Sequence, residues 1–264
     1  MCSRFRSALA ILLAVGAGAV RAEAPRVLRV CADPDNLPYS RADGSGFENR
    51  IAGIVAEEMH AQLRYAWMPF YRGFVRKTLG EGSCDVFIGV PADFERVMTT
   101  RPYYRSAYAF VSRDPRPVRS FDDPRLAHVR VGVQLIGNDL AATPPGYALA
   151  RRGVTRNVQG FTVMGDGPAA QRMVAALAQG RLDTALIWGP QAGYFAAHAA
   201  APLHVTLASA PAEADGMPFE FAIAMGVKRG NRELRDELDA IIEKRRQDID
   251  AILAAYDVPR TDKP

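Results

Sequence analysis

A chain of 264 residues whose first 22 read as an export signal leaves about 240 for one large domain or two smaller ones. The formal charge of +4 reflects 33 Lys and Arg against 29 Asp and Glu, but Arg4, Arg6 and Arg21 leave with the signal and no acid does. The mature balance is then 30 basic against 29 acidic residues, interspersed as on a solvated surface, which argues against a nucleic-acid binder.

In chain order, Arg4 and Arg6 precede an apolar stretch from Ala8 to Val20, and Val20-Arg21-Ala22 offers small or apolar residues at the cleavage positions. About 13 apolar residues fall short of the ~20 that span a bilayer, so cleavage after Ala22 is expected, without membrane insertion of the mature chain. Cys2 precedes the apolar region and cannot carry a lipid after cleavage. Cys31 and Cys84 remain, and an even pair in an oxidising compartment favours a disulfide. The alternative is two buried thiols, held apart by the register of parallel strands. The four histidines, His60, His128, His198 and His204, are scattered and none stands at ligand spacing to a cysteine, so no metal is expected.

Val27 to Ala32 reads as a buried strand, followed by a loop rich in Pro, Gly, Asp and Asn from Asp33 to Gly46. Phe47 to Met59 has helical periodicity, with Phe47, Ile51, Ile54, Val55 and Met59 on one side and Glu48, Arg50, Glu57 and Glu58 largely opposite. A strand at Leu63–Trp67, a short helix at Phe74–Leu79 and an apolar strand at Cys84–Val90 follow. This alternation predicts α/β architecture with a largely parallel sheet covered on both faces. Pro115, Pro117 and Pro124 mark a break, after which the pattern restarts with a strand at Val129–Val133 and a helix-like segment opened by Gly137-Asn138-Asp139. A helix at Gln171–Gln179, a strand at Leu182–Ile187, a strand at Phe221–Val227 and one long helix from Asn231 through Ala255 complete the chain. Gly80-Glu81-Gly82-Ser83-Cys84-Asp85-Val86 echoes Ala178-Gln179-Gly180-Arg181-Leu182-Asp183-Thr184, a weak sign of two similar α/β lobes.

In order, Leu28 to Asp33, Leu37-Pro38-Tyr39, Gly46-Phe47-Glu48, Cys84-Asp85-Val86, Glu95-Arg96, Pro102-Tyr103-Tyr104, Gly132-Val133-Gln134 and Gly180 to Asp183 resemble the type II periplasmic solute-binding proteins. The resemblance implies lobe 1 at 23–111 plus 222–264, lobe 2 at 112–221, and two hinge strands that let the lobes close on a ligand. A narrower set, Cys31 to Pro34, Gly73 to Arg76, Cys84-Asp85-Val86, Gly89-Val90-Pro91, Thr100 to Ser106, Thr143-Pro144-Pro145 and Ile187-Trp188-Gly189-Pro190, is similar to the binding-protein-like family associated with quinoprotein methanol dehydrogenases. That resemblance implies a periplasmic accessory protein without enzymatic activity or cofactor, whose partner is a PQQ-dependent alcohol dehydrogenase and whose interlobe cleft takes either that dehydrogenase or a small ligand. The alternative is the solute-binding component of an ABC importer, with a permease as partner and a small organic ligand.

By the wider resemblance, Arg96 corresponds to an arginine that clamps a ligand carboxylate; the local alternative is an ion pair with Asp93 or Glu95. The loop Gln134 to Asp139, with Gly137 and Asn138, presents either an anion contact or a helix cap. Trp188 stands where amino-acid binders carry an aspartate for the ligand's ammonium, so free α-amino acids are poor candidates. It is either an aromatic cleft wall or a core residue at a strand end. Tyr39, Trp67, Tyr71, Pro91, Tyr103 and Tyr104 belong to first-lobe loops that would face the cleft, some of them in packing roles. Arg72, Arg76, Arg101 and Arg105 form a basic rim or ordinary surface charge. Asp33 orients the cleft or caps the following turn. An enzyme would need a poised acid or base; Asp33, Glu48 and Glu95 have simpler capping or ion-pair readings.

Overall fold

The computed structural model describes residues 25–70, 73–113, 115–136, 141–162 and 167–262; the expected signal, residues 1–22, lies outside them. The first strands are β1 (Val27–Ala32), the short pair β2 (Asp35–Asn36) and β3 (Ser40–Arg41), β4 (Gln62–Trp67), β5 (Val86–Pro91), β6 (Met98–Thr99) and the ten-residue β7 (Tyr104–Arg113). They are followed by β8 (Val131–Ile136), β9 (Ala141–Ala142), β10 (Val158–Thr162), β11 (Thr184–Trp188), β12 (Leu203–Leu207) and β13 (Glu220–Val227). Helices α1 (Phe47–Glu58), α2 (Pro144–Arg151), α3 (Ala169–Ala178), α4 (Gly189–Ala197), α5 (Arg232–Lys244) and α6 (Arg246–Ala255) cover the faces.

The strand order β10-β8-β11-β7-β13-β5-β1-β4 makes a mixed sheet. Its ends are parallel: β1 lies between β4 and β5, and β8 between β10 and β11. The middle is antiparallel and carries the crossing. Residues 104–107 of β7 pair with β13, while residues 108–112 pair with β11 on one edge and residues 109–113 with β12 on the other. One strand thus serves both halves, and β13 returns beside it.

The sequence echo proves to be a shared structural device. Asp85 accepts from the backbone N–H of Arg29 at 3.0 Å and from its guanidinium at 2.6 Å, locking β5 to β1 at their starts. Asp183 does the same for Arg130, at 2.8 and 2.6 Å, locking β11 to β8. In each pair the aspartate N–H also donates to the arginine carbonyl. A carboxylate that accepts a backbone N–H and a guanidinium together fixes strand register as well as charge.

Cys31 and Cys84 are joined in a disulfide, with Cα atoms 5.4 Å apart, inside a small apolar cluster with Phe74, Leu79, Phe87, Val90 and Val97. Around the expected short helix, the chain makes a single π-type turn at Arg76–Gly80. The strand expected at Val129–Val133 runs from Val131 to Ile136, and the next helix begins at Pro144; Gly137, Asn138 and Asp139 lie outside the described residues. The expected long C-terminal helix is two. Arg245, at φ −104° and ψ 21°, ends α5 and starts α6 while its guanidinium reaches Glu57, Glu58 and Asp248. The break turns the chain so that Leu238, Ile242, Ile249 and Leu253 all enter one core with Phe47, Ile51 and Val55 of α1. Asn231 caps α5 as expected, its side-chain oxygen accepting from Leu234 N–H at 3.2 Å.

Candidate functional site

The C-terminal ends of β1, β4 and β5 bring Asp33, Trp67 and Pro91 to one edge, since Ala32 pairs with Trp67 and β5 runs parallel on the other side of β1. The Asp33 carboxylate is occupied by backbone: Oδ1 accepts from Asp35 N–H at 2.8 Å and Oδ2 from Phe70 N–H at 2.6 Å. It therefore pins two loops. Trp67 stacks on Tyr65 with centroids 4.4 Å apart, and Phe70 beside it is 68% exposed, the most open large apolar side chain among the described residues.

Tyr39 follows a cis Leu37–Pro38 peptide. Pro38 and Tyr39 carbonyls accept from Phe47 and Glu48 N–H at 2.8 Å, so the loop satisfies the opening of α1. The same loop reaches across the molecule: Leu37 packs against the apolar cluster of α3, α4 and β11. The Trp188 indole N–H is directed at the Tyr39 hydroxyl, and burial raises the Tyr39 phenol well above its ordinary value.

Trp188 ends β11 opposite Tyr108 of β7. Its ring meets Tyr108 edge-on at 5.5 Å and Phe221 of β13 at 5.4 Å, and it is half-buried against the first core. Burial pushes the Tyr108 phenol up to about 12. The indole is thus wedged where all three strands of the crossing meet, packed on one side and open on the other.

A C-terminal strap closes the same region. Tyr256 stacks on Tyr194 of α4 at 5.8 Å; Ser106 donates to the Pro259 carbonyl at 2.6 Å; Thr261 N–H donates to the Arg105 carbonyl at 3.1 Å. Arg260, 8% exposed in its side chain, pairs with Asp250 and Asp262.

Tyr103 and Tyr104 are 1% and 2% exposed; Tyr103 donates its hydroxyl to the Ile88 carbonyl at 3.0 Å, which makes it a core residue rather than a cleft wall. Arg96 is exposed and has no side-chain partner among the described residues. The carbonyl of Glu95 accepts from Arg229, past the end of β13 and away from the crossing. Of the expected basic rim, Arg76 pairs with Glu81, Arg101 with Glu243 and Arg105 with Glu220. Tyr71, Arg72, Gly137 and Asn138 lie outside the described residues. Near the latter two, Pro144 and Pro145 open α2, removing two N–H donors from the helix end where an anion would otherwise sit.

Glu48, expected to cap or to form an ion pair, does neither among the described residues. In the first turn of α1, its carboxyl lies over Gly89 of β5, where a Cβ would land on Oε1 and stand 3.0 Å from Cδ. Tyr39, Tyr65, Tyr103 and Tyr104 lie close enough for its charge to bear on their phenols. Burial alone raises Glu48 from 4.5 to about 8. The side chain nevertheless keeps partial solvent contact, as do Gly89, Pro91 and Trp188. A shallow groove of about 490 Å³, lined in part by Ala107, Met217, Phe219 and Glu220, lies beside the crossing and contains none of these residues.

The raised Glu48 value sets a pH dependence. Below about 4.5 the carboxyl is protonated in both folded and unfolded chains and costs nothing. As pH rises toward 8 the unfolded chain releases this proton while the folded chain holds it, so stability falls across that window and levels off above it. Glu48→Gln removes the term. The variant should gain on the parent from pH 5 to pH 9, reaching about 2–4 kcal/mol in urea denaturation, since full enclosure would be worth about 5 at about 1.4 per unit and solvent contact lowers it. Parallel stability–pH curves would remove this account.

The mixed sheet and the shared crossing strands define the architecture of the periplasmic-binding-protein class. The solved structure of the periplasmic binding protein XoxJ from Methylobacterium extorquens AM1 matches with a TM-score of 0.75 at 35% identity, covering 90% of this chain and 100% of that one. The chain is 36% identical over 254 residues to protein MoxJ of Methylorubrum extorquens, covering 88% of this chain and 81% of the relative. It is 31% identical over 246 residues to MoxJ of Paracoccus denitrificans, covering 88% of each. The chain belongs to the MoxJ family. No family model matches it.

Proposed function

We propose that the chain is a periplasmic accessory factor of methanol oxidation that binds a PQQ-dependent alcohol dehydrogenase through its interlobe cleft. In this reading residues 1–22 are a cleaved signal, 23–111 plus 222–264 form lobe 1, and 112–221 form lobe 2. The periplasmic nature of XoxJ supports the location. Among the described residues no helix is long and apolar enough to cross a membrane.

The observation that carries the reading is the furnishing of the crossing. Trp188 is wedged against Tyr108 and Phe221 where an importer for amino acids needs an open carboxylate, while Leu37 packed on α3, α4 and β11 and Tyr256 stacked on Tyr194 of α4 tie one half to the other. A receptor that closes on solute needs its lobes free to swing. Three ties across the crossing suit a surface of fixed shape instead, with Trp67 and Phe70 open as apolar anchors where β4 ends the sheet.

The mature chain, immobilised, should retain purified PQQ-dependent alcohol dehydrogenase, and Phe70→Ser should weaken retention at least fivefold without lowering Tm. Retention equal to that of an unrelated periplasmic protein, together with a small organic solute that raises Tm by mass action, would replace this reading with the importer.

A further inference from the structure

We propose that the Glu48 carboxyl is the recognition group of the cleft and that it takes a primary ammonium carried on an alkyl chain. The inference rests on the reading of the cleft as a binding surface and adds the charge of what enters it.

Glu48 accepts no hydrogen bond and has no counter-ion among the described residues. Its neighbours are otherwise engaged. On its own helix, Asn49 Oδ1 accepts from Arg41 and Gly46 N–H, and Arg50 donates to Tyr256 at 2.9 Å. From β4, the Tyr65 hydroxyl is directed at the Asn49 carbonyl; from the start of β7, Tyr103 donates to Ile88. Asp33 of the neighbouring loop is held by two backbone N–H groups. β5 contributes only Gly89, the residue whose missing side chain makes room for the carboxyl.

A carboxyl left unpaired among tyrosine rings, yet touching solvent, meets the two requirements of an ammonium site. It offers an ion pair made in a weakly polar setting, and it keeps an opening to water through which a ligand can reach it. A divalent ion would need several oxygen ligands, and no cluster of three or more His, Cys, Asp or Glu stands among the described residues. A carboxylate ligand finds no positive charge here and meets repulsion once Glu48 ionises, above about pH 8. The compact, three-donor ammonium fits a single carboxyl that no cation of the chain already occupies. Binding exchanges one proton for one cation: the acid releases its proton to buffer as the ammonium arrives.

The ammonium can come from a free amine or from a lysine side chain of the partner. Titrations of the mature chain with butylammonium, with Nα-acetyl-lysine N-methylamide, and with butyrate and 1-butanol as controls separate the cases. Saturable binding of both cations is expected, tightening about 50-fold between pH 6 and pH 8, with close to one proton released per cation at pH 7 in buffers of different ionisation enthalpy. Tighter binding of the lysine derivative assigns the source to a protein; equal binding assigns it to the amine. Glu48→Gln should abolish binding while Glu48→Asp retains part of it. Butyrate binding as well as butylammonium, cation binding that survives in Glu48→Gln, or the absence of proton release would each overturn the proposal. Dehydrogenase capture is scored separately. Amine binding without capture removes the accessory reading and leaves the site, whereas capture unchanged in a Glu48→Gln chain that binds no amine places the partner elsewhere.

Discussion

Gly193→Val should lower Tm by about 10 °C, a cost of about 3 kcal/mol for a chain of this size. Glycine inside a helix is normally a liability of about 0.5–1 kcal/mol, so valine in α4 would be expected to help. It cannot, because a Cβ at Gly193 would land on the Asp257 carbonyl oxygen and stand 3.0 Å from Pro259 Cδ. The obstacle is backbone, which yields only if the strap moves away. Moving it breaks the Tyr256–Tyr194 stack, the Ser106–Pro259 hydrogen bond and the backbone contact of Thr261 with Arg105. The control is a chain ending at Tyr256. There the strap is already absent, and Gly193→Val should cost less than about 0.5 kcal/mol, a coupling that a double-mutant cycle measures directly. Equal losses in the two backgrounds would mean that α4 simply disfavours valine, and the strap would lose its role as a tie.

The sheet was legible because its strands are apolar throughout. Val86 to Val90 and Thr184 to Ile187 are covered on both faces, and a run of that kind admits few other readings. The Arg29–Asp85 and Arg130–Asp183 locks left a trace too, as a repeated Gly and Asp before each strand. What escaped depends on contacts made at long range. Apolar spacing continues across Arg245, so nothing local announces the break that Glu57 and Glu58 stabilise from α1. Helix α4 was hidden by Gly189, Pro190 and Gly193, poor helix formers kept where the strap and β7 approach closely. Glu48 looked like a solvated charge opposite the apolar stripe of α1. Only the approach of Gly89 from a strand some forty residues further on encloses it, a juxtaposition with no local signature. Trp188 fell between two readings, wall or core, and the crossing shows why: the ring is packed by Tyr108 and Phe221 and still touches solvent.

That double position makes Trp188→Ala the more informative of the substitutions at the crossing. Truncation removes the ring against which both Tyr108 and Phe221 set their edges, and large-to-small changes of this kind cost about 3–5 kcal/mol when the site is fully enclosed. With one side of the indole open, about 3 kcal/mol is expected, read as a lowered urea midpoint at unchanged m. A second readout separates loss of the wedge from general loosening. The phenol of Tyr108 stands at about 12 through burial, so opening the crossing to water should let it titrate nearer its ordinary value of 10. Ultraviolet titration between pH 9 and pH 12 should then show one additional tyrosine ionising before the folded baseline is lost. Trp188→Phe keeps most of the packing and loses only the indole N–H toward Tyr39, and it should leave Tyr108 where it is. A Trp188→Ala chain that unfolds at the parental midpoint with Tyr108 still masked would show that the crossing holds its shape without the indole. In that case the ties of Leu37 and the C-terminal strap alone would set the form of the cleft.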